Sequence, residues 1–258
     1  MTLRLMLFLI SLIPATGPQK PALSFDVASI KPNNSGGRNS VVLPRPGGGF
    51  TATNVTMMQL MRFGFSIQEF QVSGQLPNWF NIERFDIEAR ADVQGEPRAE
   101  VWQPMLQALL ADRFKLAFHK EVRAMPAYDL IVSKNGHKLQ RVEPGECLPP
   151  PAGMCGTFRA STSQIIGDRV SMEAFATRLT RSMGRTVVDK TKVEGVFNLL
   201  LQWTPDPQPG LQVDAPPPDG GGPTIFTALQ EQLGLRLEAT KNPVEVYVID
   251  RVERPSEN

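Results

Sequence analysis

The chain has 258 residues, 27 Lys and Arg against 26 Asp and Glu, and is 41% hydrophobic and 21% charged. These proportions exclude a disordered chain and predict one or two folded domains. A formal charge of +1 excludes the basic surface that a nucleic-acid binder or an adhesin for anionic membranes needs.

The N-terminus has the layout of a secretory signal peptide. Arg4 precedes a nine-residue apolar run, residues 5–13 (LMLFLISLI), then Pro14 and the small residues Ala15-Thr16-Gly17. The run is too short to span a bilayer, which takes about 20 residues. No cysteine follows it, so no lipid anchor is predicted. Cleavage after Gly17 removes 1–17, and no later segment is long and apolar enough to span. The mature protein is therefore expected in the periplasm or outside the cell.

Three stretches read as loops: residues 31–49, residues 143–156 and the Pro/Gly-rich residues 205–223. Between them, helical and strand patterns occur twice in the same order. Thr56 caps a helix that ends at Ser66, and Ser171 caps one that ends at Gly184. Thr56 with Gln59 fits a capping box. Strands follow at 84–92 and 196–206, where Phe85, Ile87 and Ala89, and Phe197, Leu199 and Leu201, alternate. Second helices follow at 101–113 and 224–233. Pro104 makes the first of these start near Gln103 or kink. Each runs into two strands joined by a turn, with Tyr128 in one half and Tyr247 in the other. The expected fold class is thus α+β: a tandem duplicated helix–strand–helix–hairpin module with helices on mostly antiparallel sheets. The expected modules are 24–134 and 161–253, joined by a linker at 135–160, with 205–223 an insertion in the second.

The linker holds Cys147 and Cys155. Two cysteines eight apart in one loop of an exported protein predict a disulfide. The alternatives fit less well: nearby metal ligands are missing, and the spacing is not that of a CxxC redox pair.

The search for chemistry predicts no catalytic residue, no metal site and no cofactor. There are two histidines and no HExxH or G-x-S-x-G. His119 reads as a polar residue at the end of a strand, and His137 as part of the exposed turn Asn135-Gly136-His137. Asp189-Lys190-Thr191 reads as a polar turn. Glu83, Asp86 and Glu88 read as a solvated face. Trp79-Phe80, in the loop LPNWF, either form a binding surface or plug the edge of the core, as Trp102 and Trp203 are expected to do.

Four strings carry a resemblance to a family. Residues 25–33 (FDVASIKPN), 71–91 (QVSGQLPNWFNIERFDIEARA), 105–139 (MLQALLADRFKLAFHKEVRAMPAYDLIVSKNGHKL) and 187–206 (VVDKTKVEGVFNLLLQWTPD) resemble an uncharacterised family of exported, soil-associated bacterial proteins, defined only as a domain of unknown function. The resemblance implies a signal peptide, many paralogues per genome and occasional fusion to BlaR/MecR-type sensor peptidases. It implies no activity and no catalytic residue. Residues 171–184, 187–195, 228–238 and 246–249 are similar, over a shorter stretch, to the N-terminal periplasmic module of secretins and TonB-dependent transducers. Those modules bind other proteins. The function expected is therefore a non-catalytic binding or sensor-type protein of the envelope, with an envelope protein or peptide as partner. The alternatives are an envelope hydrolase with an unfamiliar site and a secreted structural protein.

Overall fold

The computed structural model describes residues 23–37, 39–93, 95, 98–142, 156–205 and 222–255. The signal-peptide segment 1–17, Cys147 and Cys155, and most of 205–223 lie outside the described residues. The described chain divides into two compact units. One comprises the residues up to Ser66, Pro77–Ala117 and those from Arg251; the other comprises Ile67–Leu76 and Phe118–Asp250.

The first unit is built on a four-stranded antiparallel sheet. Its strands are β1 (Val27–Pro32), β2 (Val41–Arg45), β3 (Gly49–Val55) and, after β4 (Val72–Gly74) of the other unit, β5 (Phe85–Arg90). The order is β1-β5-β3-β2. Helices α1 (Met57–Phe65) and α2 (Ala99–Arg113) belong to the same unit. Thr56 caps α1: its hydroxyl accepts from the Gln59 N–H at 3.3 Å, and the Gln59 side chain accepts from the Thr56 N–H at 2.9 Å. Pro104 lies inside α2, which begins before it. The core of this unit includes Phe50, Leu60, Phe80, Ile87, Leu106 and Phe114.

The second unit holds two further sheets. One comprises β7 (Gln140–Val142), β8 (Thr157–Ala160), β9 (Gln164–Val170) and β11 (Val196–Gln202), in the order β7-β11-β9-β8. The other comprises β4, β6 (Ala117–Val132), β10 (Thr186–Asp189) and β12 (Leu235–Arg251), in the order β10-β6-β12-β4. Its outer strands are parallel to their neighbours: Val187 lies opposite Tyr128, and Val72 opposite Tyr247. Helix α3 (Met172–Met183) is capped by the Ser171 hydroxyl. Helix α4 (Ile225–Ala228) starts at a Thr224 cap and passes into a π-helical turn over Leu229–Leu233. Phe175, Leu179, Phe197, Leu201 and Leu235 are among the core residues.

The α+β class and its helix–strand–helix–hairpin unit are overturned. The described residues are 42% strand and 26% helix, arranged as twelve strands in three sheets with four short helices. Two physical reasons account for the error. Strand β2 and its turn into β3 lie inside a stretch, 31–49, whose Gly and Pro residues read as loop; Val41 pairs with Thr53 and Arg45 with Gly49 across Pro46-Gly47-Gly48. The two expected hairpins are instead single strands of 16 and 17 residues, β6 and β12. Pro126 in β6 lies one residue before the β10 register begins at Ala127, so its missing N–H breaks no ladder on that side.

What recurs is a strand path. The orders β1-β5-β3-β2 and β7-β11-β9-β8 trace the same route, each leading from its third strand into a capped helix. The same bulge recurs as well. Asn54 and Arg169 both adopt positive φ, 57° and 50°, where the registers of β3–β5 and β9–β11 shift. The Asp86 carboxylate accepts from the Asn54 N–H at 2.8 Å, and the Asn198 amide oxygen accepts from the Arg169 N–H at 3.0 Å.

Candidate functional site

Helix α3 lays Met172, Phe175, Ala176 and Leu179 into the core at helical spacing. The same periodicity sets Arg178 and Arg181 in one row on the helix, with Arg185 just past the Gly184 cap. These three arginines line a groove of about 760 Å³ in the second unit. Tyr128 of β6, Trp203 after β11 and Phe226 of α4 supply rings, and Ser161, Thr162 and Ser182 supply hydroxyls. Tyr128, Trp203 and Ile225 also pack against the core, so the groove floor continues it. Among the described residues, none that lines the groove is acidic.

The cations of the groove differ in their surroundings. Arg185 stands over the Tyr128 ring, 5.8 Å from its centroid, and Phe226 meets that ring edge-on at 5.6 Å. Arg178 is half-buried, and its Nε is buried with no hydrogen-bond partner among the described residues. Burial, and then the neighbouring Arg181 charge, pull the Arg178 guanidinium below its ordinary pKa. Such a group is poised to receive an anion.

His119 presents different chemistry. Its Nδ1 is 2.8 Å from Asp250 Oδ1 and its Nε2 is 3.0 Å from Glu121 Oε1. Glu121 first, and then Asp250, raise its pKa. The Ser73 hydroxyl accepts from Arg123, not from the histidine, at 3.1 Å. With both ring nitrogens held by carboxylates, His119 has none left to deprotonate a hydroxyl, so this is not a nucleophile–base pair. Among the described residues, no group of three or more His, Cys, Asp and Glu is placed to hold a metal ion.

Trp79 and Phe80 are 8% and 0% exposed, in a short helical turn of the first unit. Trp79 meets Phe85 edge-on at 6.3 Å and carries the Arg254 guanidinium over its ring at 5.6 Å. Arg254 in turn donates to both oxygens of Glu83, which lowers the Glu83 pKa. Asp86 is taken up by hydrogen bonds from the Asn33 side chain and the Asn54 backbone. Asp189 accepts from the Thr191 N–H and hydroxyl, which closes a polar turn after β10. His137 is exposed beside the turn at Gly136.

A family profile described as a protein of unknown function, DUF3738, matches residues 31–252. The chain belongs to the DUF3738 family. No curated protein and no solved structure matches it. The DUF3738 region spans every element from β2 to α4 and includes the arginine groove and His119. No helix among the described residues is long and apolar enough to cross a membrane.

The arginine row escaped the sequence reading, although TRLTRSMGR carried the signal. On a helix, Arg178 and Arg181 are three apart, and Arg185 lies seven beyond the first. The rings opposite gave no such signal, because Tyr128, Trp203 and Phe226 are far apart in sequence and meet only in the fold.

Proposed function

We propose that this DUF3738 protein is an exported, non-catalytic binding protein of the cell envelope. The observation that carries the reading is the α3 groove: three arginines and three aromatic rings, with no acidic residue among the described residues of its lining. Arg, Tyr and Trp are the residue types that dominate the centres of binding surfaces. The signal-peptide pattern of residues 1–17 supports export, and the resemblance to exported, soil-associated proteins fused to sensor peptidases supports a sensing role. The similarity to the periplasmic module of secretins and TonB-dependent transducers points the same way, toward an envelope protein or peptide as partner. A Cys147–Cys155 disulfide belongs to this proposal, because an exported pair in one loop meets an oxidising compartment.

The test has two parts. In-cell crosslinking and affinity capture of the tagged protein from its own envelope is expected to give a saturable partner. The purified mature protein is expected to turn over neither peptide nor glycan substrates. Robust turnover that vanishes in His119→Ala overturns the proposal.

A further inference from the structure

We propose that the α3 groove docks an acidic peptide segment of the partner, its carboxylates paired with Arg178, Arg181 and Arg185 and its apolar side chains set among Tyr128, Trp203 and Phe226. This rests on the binding-protein reading and names the ligand of that site.

Charge complementarity is the first argument. Elsewhere in the same unit, Lys120, Arg123 and Arg236 each lie within 3 Å of a glutamate oxygen. Among the described residues, Arg178 and Arg181 have no carboxylate partner, and none lines the groove. Like charges neighbouring on a helix repel, and a bound anion relieves that repulsion.

The second argument is an unsatisfied donor. The Nε of Arg178 is buried without an acceptor. A carboxylate taken on the Nε and Nη edge receives two parallel hydrogen bonds and satisfies it.

The third argument selects a peptide. Inorganic anions need only the cations, whereas this groove adds aromatic rings to its arginines, and two of them, Tyr128 and Trp203, pack against the core. Arg178 and Arg181 are separated by about 4.5 Å along the helix axis, and Arg185 lies just past the Gly184 cap. An extended peptide turns alternate side chains to one face about 6.6–6.8 Å apart. Long arginine side chains bridge that small difference. Alternate side chains of such a peptide then offer carboxylates to the arginines and apolar groups to the rings, and the Thr162 hydroxyl is available to the peptide backbone.

The experiment is calorimetric titration of the mature protein with a short peptide alternating Glu and Leu, its Gln-for-Glu counterpart, an oligogalacturonate and inorganic phosphate. The Glu peptide is expected to bind, more weakly at high salt, and the Gln peptide not to bind. Arg178→Gln and Arg181→Gln are each expected to weaken binding about tenfold. Arg181 is exposed, so its variant keeps the test readable if Arg178→Gln unfolds. Unchanged affinity in both variants overturns the proposal. So does tighter binding of oligogalacturonate, which makes the ligand an acidic glycan, or of phosphate. If no anionic probe binds while crosslinking still captures a saturable partner, the groove assignment falls and the binding reading stands. Turnover dependent on His119 removes the binding reading itself.

Discussion

Among the described residues, Arg178 faces no carboxylate, whereas His119 sits between two and is already satisfied. Each carboxylate of the His119 pair favours the charged imidazolium, so its folded pKa lies above the ordinary 6.5. A raised folded pKa contributes stability that is fully present below 6.5 and is lost as pH rises through the elevated value. His119→Ala is therefore expected to lower the melting temperature at mildly acidic pH and to leave it unchanged at alkaline pH. His119 is 52% exposed, so the effect is small and shrinks with added salt. Melting curves of both proteins across that pH range check this. A difference that persists at alkaline pH refutes the ion-pair explanation.

At the scale of elements, Gly74 shows what holds β4 in place. Its φ is +108°, and a Cβ there meets the Ile249 backbone oxygen at 2.6 Å and nitrogen at 2.8 Å. Backbone cannot rotate aside as a side chain can, so Gly74→Ala is expected to cost about 2–3 kcal/mol. Gly136 also has positive φ, +82°, but a Cβ there meets nothing within 4 Å. Gly136→Ala therefore isolates the backbone strain and is expected to cost about 1 kcal/mol. Urea unfolding of the two variants measures the difference, and equal costs refute the close-approach account. The elements legible in the sequence were those with a local signal. Thr56 and Ser171 announced α1 and α3 through their hydroxyls, and the alternation of Phe85, Ile87 and Ala89 announced β5. Strands β6 and β12 were read as hairpins because Pro126 and Lys241-Asn242-Pro243 look like turns, and only neighbouring strands decide otherwise. Side-chain contacts between the two strands show that pairing: His119 meets Asp250, Lys120 meets Glu245 and Asp129 meets Asn242. The groove was half legible for the same reason: the arginine row is local to α3, and the facing rings are not.

At the scale of the whole molecule, the sheet β10-β6-β12-β4 sets the rule for cooperativity. Strands β4 and β6 precede residues 143–155, while β10 and β12 follow them, so the sheet alternates between the two parts of the sequence. Val72 of β4 pairs with Tyr247 of β12 across most of the chain, and Val187 of β10 pairs with Tyr128 of β6. Within this sheet every strand's neighbours come from the other part, so neither part can complete a ladder alone. Unpaired strand edges leave N–H and C=O groups without partners. Cutting the chain within 143–155 is therefore expected to give two fragments that each lack this sheet, although the first keeps every strand of the β1-β5-β3-β2 sheet, and that recover native circular dichroism when mixed. Recovery should be slow, because pairings so distant in sequence require large loop closures before any contact stabilises them. Slowly exchanging amides along β6 or β12 in an isolated fragment contradict this account. The groove gives a sharper readout of reassembly, because Tyr128 lies in the first fragment while Arg178, Arg181, Trp203 and Phe226 lie in the second. Acidic-peptide binding should therefore return only with the mixture, in step with the circular dichroism.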